Sequence, residues 1–164
     1  MKKIITLLAV IGMFSLQGCT TTDNSVDNDT IGTVFETNQV SFLSTAYTIK
    51  YVFPNAIYSS DMVLVYRLTG TSNGNDLWEF LPETHYFADG TRNFSYNFDF
   101  TRNDVQIYLE GNNLQTLDAS FRLNQIFRIV VVPADFASTL KTTNYPAVIA
   151  ALKINENQVQ KINF

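Results

Sequence analysis

Asp76, Glu79 and Glu83 cluster around Trp78, the only tryptophan in a chain of 164 residues. Two carboxylates flanking a sugar are what a glycosidase uses to protonate the leaving group and stabilise the cationic transition state. Without catalysis, such residues suit a carbohydrate-binding surface, for which Trp78, Tyr86 and Tyr58 are the stacking candidates. His85 is the only histidine. Acid–base work favours that side chain, but Ser-His-Asp chemistry also needs an oriented nucleophile, and the one G-x-S-x-G string, Gly70 to Gly74, falls in a turn cluster with Asn73-Gly74 as its hairpin corner rather than in a strand-to-helix elbow. Within Thr84-His85-Tyr86-Phe87 it alternates with aromatics, so a structural place on a strand is expected. The expected catalytic set is therefore none, with a hydrolase built on Glu79 and Glu83 as the outlying alternative.

Oxygen ligands for calcium are present in two groups, Asn73, Asn75 and Asp76, then Asp99, Asn103 and Asp104. Neither group has the spacing of a calcium loop, and Asn and Asp are default turn residues for backbone reasons. No nucleotide loop or H-E-x-x-H helix occurs. No metal and no cofactor are expected. Arg67 and Arg128 each interrupt an apolar run. A structural role facing solvent or an edge is expected, with the stem lying on apolar surface. If buried, each needs a carboxylate, and Asp99 and Asp135 are the chemical candidates.

The reactive residue with the clearest context is Cys19. Met1-Lys2-Lys3 is positively charged, Ile4 to Phe14 is apolar, and Leu16-Gln17-Gly18 leads into the lone cysteine. This is the layout of a secretory signal peptide. The apolar run is short of the roughly 20 residues that a spanning helix needs. The ending resembles the lipobox of bacterial lipoproteins, which implies removal of residues 1–18 and lipidation of Cys19. Residues 19–30 then form an acidic tether, too polar to offset its ordering entropy, and 31–164 form one domain. Asp29-Thr30-Ile31 is similar to an O-glycosylation acceptor of the Bacteroidota, a motif short enough to recur by chance.

Removing residues 1–18 takes Lys2 and Lys3 from eleven basic residues, leaving nine against fifteen acidic ones, a net charge of −6. Nucleic acid, which selects clustered Lys and Arg, is excluded as a partner, and so is a polybasic membrane patch. With its one cysteine lipidated the domain has no thiol, so disulfides and thiolate metal sites are excluded and its core must hold it.

The domain reads as strands. Tyr47, Ile49, Tyr51 and Phe53 alternate with Thr48, Lys50 and Val52, and Phe94, Tyr96, Phe98 and Phe100 alternate with Ser95, Asn97, Asp99 and Thr101. Both patterns predict strands with one buried face. MVLVYRL (62–68) and QIFRIVVV (125–132) are apolar on both faces, the latter suited to a sheet centre. Asn73-Gly74 and Asp89-Gly90 predict hairpins, and Pro82 a broken or edge-placed strand. YPAVIAAL (145–152) is the best helix, with Asn144 as its cap. Eight or so short strands and one or two short helices give an all-β fold, a single antiparallel β-sandwich of immunoglobulin-like or jelly-roll-like type.

VLVYRL (63–68), the segment from Trp78 to Leu81-Pro82, YNFDFTR (96–102) and FRIVVVPADF (127–136) resemble a group of small β-rich lipoproteins of the Bacteroidota, flavobacterial in type. The resemblance implies an envelope lipoprotein, and it carries no catalytic or ligand residues to transfer. The expectation is a non-enzymatic, lipid-anchored interaction or structural module. Its partners are the membrane through the N-terminal lipid and a glycan or envelope protein. Thr20 after the cysteine favours the outer membrane, with the domain on its periplasmic or its outward side. A carbohydrate-binding accessory of glycan uptake is the alternative.

Overall fold

Phe127–Val132 (β8) is buried along its whole length, because it has a packed layer on each side. The computed structural model describes residues 32–137 and 140–163. Cys19, the tether and Thr30 lie outside the described residues. Besides β8, the strands are β1 (Thr33–Thr37), β2 (Thr48–Val52), β3 (Met62–Ser72), β4 (Asn75–Phe80), β5 (Glu83–Tyr86), β6 (Arg92–Phe100), β7 (Asp104–Gly111) and β9 (Gln160–Ile162). They make a five-stranded sheet, β4-β3-β8-β1-β9, and a four-stranded sheet, β2-β7-β6-β5. Three short helices complete the described residues, α1 (Ala119–Arg122), α2 (Ala134–Ala137) and α3 (Tyr145–Leu152), with 3₁₀ turns at Leu114–Thr116 and Glu156–Gln158.

The fold is the expected β-sandwich. Phe35, Val63, Val65, Phe127, Ile129 and Val131 of the larger sheet share one core with Phe94, Tyr96, Val105, Ile107 and Leu109 of the smaller. Each fully buried large side chain contributes about 1.5–3 kcal/mol of transfer free energy, and a one-residue slip would turn all of them outward. The alternate residues Leu64, Tyr66, Val130, Val132 and Val34 form a second core under Tyr145 and Val148 of α3. β3 and β8 are thus covered on both faces, as their unbroken apolar sequence requires.

The predicted turns form as their chemistry dictates. Asn73 and Gly74 have φ of 51° and 78°, the two left-handed positions of the hairpin that joins Ser72 to Asn75. Gly90 has φ of 83°, and Asp89 Oδ1 accepts from the backbone and hydroxyl of Thr91 at 2.9 and 2.7 Å. Asn144 caps α3 by accepting from Ala147 N at 3.0 Å. At Leu81-Pro82, a cis peptide, the chain leaves the edge of one sheet and enters the edge of the other, so β4 and β5 are both edge strands.

Three details depart from expectation. β9 runs parallel to β1, so the sandwich is not wholly antiparallel. Helices number three among the described residues. Phe100, the last of four alternating aromatics, is 41% exposed, at the end of β6 that runs beyond its pairing with β5, which stops at Tyr96.

Candidate functional site

Five strands bring one side chain each into a row across the outer face of the larger sheet. Phe80 pairs with Tyr66, Tyr66 with Arg128, Arg128 with Glu36, and Glu36 with Lys161. Arg128 is 4% exposed. Its Nε donates to Glu36 Oε2 at 2.7 Å, and its Nη1 and Nη2 donate to the two Glu156 oxygens at 2.9 and 2.6 Å. Nη1 also donates to the Tyr145 hydroxyl, and Lys161 Nζ donates to Glu36. The guanidinium lies over the rings of Trp78 (4.3 Å) and Tyr145 (5.0 Å), adding cation–π attraction to charged hydrogen bonds.

Outside this cluster lies an open groove of about 620 Å³ between the β3–β4 hairpin and α3. Trp78, Tyr145, Pro146 and Ile149 give it apolar walls, Asn75 and Asp76 line it on the hairpin side, and Glu156 lines it on the other. Burial opposes ionisation of Glu36, but hydrogen bonds from Lys161 and Arg128 outweigh it and hold the carboxyl below its ordinary range. Tyr145 is pushed up to about 12, mainly by burial, which Arg128 opposes. At neutral pH the cluster is therefore an ionised glutamate, a charged arginine and a neutral phenol that accepts from it.

Arg67 forms a second buried cluster on the inner face. It is 8% exposed, lies 4.6 Å over the Tyr96 ring, and donates through Nε and Nη2 to both oxygens of Glu83 at 2.8 and 2.7 Å. Its Nη1 donates to Gln125 Oε1 at 3.1 Å. The pair ties β3 of one sheet to β5 of the other across the corner at Pro82. Both arginines are thus buried and paired, contrary to the solvent-facing expectation. Their carboxylates are Glu83, Glu36 and Glu156 rather than Asp99 or Asp135, both of which are exposed.

The structure separates the other candidates. Glu83 is turned inward and locked by Arg67, whereas Glu79 is exposed on β4, and Trp78 points to the opposite face, toward α3. The three do not converge on one substrate. His85 stacks on Phe94 at 4.4 Å and 7°. Its Nε2 lies 2.9 Å from Glu83 Oε1 but out of line for a hydrogen bond. Ser95, the serine of the facing strand β6, pairs with Thr84 in register and so lies on the other face. Tyr86, 64% exposed, ends β5, and Tyr58, 54% exposed, lines a separate pocket of about 290 Å³ with Phe53 and Asp61. Trp78, Tyr86 and Tyr58 are three places, not one platform. Of the calcium groups, Asn73 shapes its hairpin, and Asp104 pairs with Lys50 at 2.7 Å and accepts from Thr101 at 2.9 Å.

Glu36, Tyr145, Glu156 and Lys161 are the site residues that the sequence reading missed. The signal was Arg128 itself, a charge in the most β-branched run. Its partners stand 92, 17 and 28 positions away, beyond any local pattern. No protein-family model matches the chain, and no curated protein or solved structure matches it either.

Proposed function

We propose that this is a lipid-anchored outer-membrane protein, of the flavobacterial lipoprotein type, whose β-sandwich is a non-enzymatic interaction module with the groove between β4 and α3 as its recognition surface. One observation carries the reading: the chain's only tryptophan is placed at the wall of an open groove instead of in the sandwich core. A half-buried indole backed by a fixed cation offers a rigid contact area at low entropic cost, which is why aromatics dominate recognition surfaces. The Cys19 lipid and the tether hold the groove near the membrane, and two or three acyl chains make that attachment effectively permanent.

A second reading has its own support. Asn75, Asp76 and Glu156 rim the groove beside Trp78 and Tyr145, a combination of ring faces and hydrogen-bonding groups that fits a carbohydrate, as a glycan-uptake accessory would need. Hydrolysis by Glu79 and Glu83 is not favoured, since both oxygens of Glu83 are engaged by Arg67.

Three experiments test this. Blocking lipoprotein processing should leave an unprocessed precursor at Cys19, and unchanged maturation sinks the anchor. Titration of a glycan panel against Trp78 fluorescence should find a saturable ligand, and calorimetry should show its binding lost in Trp78→Ala while the fold persists. Silence across the panel removes the carbohydrate reading. Pull-down by crosslinking from a cysteine placed at Ile149 then decides whether a protein fills the groove.

A further inference from the structure

The two carboxylates on Arg128 differ in one respect. The Glu36 side chain is 11% exposed, whereas that of Glu156 is 70% exposed. Glu156 belongs to a three-residue 3₁₀ turn beyond α3 and lines the same groove as Trp78 and Tyr145. It therefore places a bidentate carboxylate on a buried guanidinium from the solvent side, at the end of a groove walled by aromatic rings.

We propose that the Nη1/Nη2 edge of Arg128 is a recognition subsite for the carboxylate of an acidic sugar, a uronic acid residue of a glycan, and that Glu156 occupies it as a built-in competitor. The proposal rests on the groove being the recognition surface. A planar carboxylate is the group that fits a guanidinium fork. Exchange of one carboxylate for another keeps the buried charge paired throughout, so opening the site avoids the penalty of an unpaired arginine. The pyranose ring of such a ligand would lie along Trp78 and Tyr145, with Asn75 near its hydroxyls. Asp76 at the hairpin end disfavours a second negative charge there, which limits the site to one acidic residue.

A tethered carboxylate competes at an effective concentration in the millimolar range or above. Removing it must therefore tighten the binding of a free carboxylate relative to that of a neutral sugar. The test uses the full chain purified in detergent, with fluorescence of Trp78 as the readout. Galacturonate, galactose and acetate are titrated against the wild type, Glu156→Ala and Glu156→Gln. The expected result is a preference for galacturonate over galactose at least tenfold higher in Glu156→Ala than in the wild type, with no saturation by acetate. Equal galacturonate affinity in all three proteins overturns the proposal, and so does acetate binding as tightly as galacturonate. If a neutral glycan saturates the wild type while galacturonate is indifferent to residue 156, only the acidic subsite falls. If no sugar moves Trp78 in any variant, the subsite and the carbohydrate reading of the groove both fall.

Discussion

Arg67 and Arg128 are both buried, both over an aromatic ring and both held bidentately by a glutamate, yet they sit in opposite kinds of place. Arg67 lies inside the sandwich, and the side chain of its partner Glu83 is 12% exposed. The pair closes the corner where the chain crosses between sheets. Arg128 lies on the outer face, and one of its two glutamates is open to water. The difference teaches that a buried charge locks a fold when all its partners are buried with it. It becomes available for recognition when one partner can be exchanged.

Breaking the inner pair should have the largest effect. Glu83→Ala leaves Arg67 charged and uncompensated, and is expected to cost about 3–5 kcal/mol, read as a shift in the denaturant midpoint. The double variant Arg67→Met, Glu83→Leu should recover most of that loss, since apolar groups can replace a buried pair at little cost. A loss no greater than that of an exposed glutamate would end the distinction between the two sites.

Next in size is the acid response of the outer cluster. The Glu36 carboxyl is lowered from 4.5 in the folded state, so its stabilisation is complete above that value and is lost as pH falls through the lowered one. Thermal melts should therefore show the midpoint falling below about pH 4.5, with a shallower slope in Glu36→Gln. On the alkaline side the sign reverses. Tyr145 is raised from 10 to about 12, so its contribution is present below pH 10 and is lost as pH rises through 12. Tyr145→Phe should flatten that limb, and an unchanged limb assigns it to Tyr66 or Tyr96, which burial also raises.

The smallest expected effect is that of Glu156→Ala. As a mostly exposed ion-pair partner it should contribute no more than about 1 kcal/mol, while altering the groove most. A stability loss as large as that of Glu83→Ala would place Glu156 with the locks and sharpen the comparison against the proposal.

Much of the fold was legible because it obeys short-range rules. The alternation of Phe94, Tyr96 and Phe98 set one face of β6, and Asn73-Gly74 and Asp89-Gly90 set the hairpins. The apolar run from Phe127 to Val132 required cover on both faces. The site was less legible. Trp78, Glu79 and Glu83 are neighbours in sequence, and that proximity suggested a joint role. One residue of strand alternation and the corner at Pro82 send them to three different surroundings. Tyr145 was readable as a helix start, not as a wall of a groove, because that depends on which sheet face α3 covers.

By itself, the sequence determined the strand periodicity, the turn positions, the acidic balance and the layout around Cys19, since each depends on residues within a few positions of one another. Only the tertiary structure decided that both arginines are buried, that Glu36 and Glu156 share Arg128, and that Trp78 faces a groove. Those outcomes depend on strand order and on helix cover, which join positions 92 and 28 residues apart, and no local periodicity encodes a pairing across such distances.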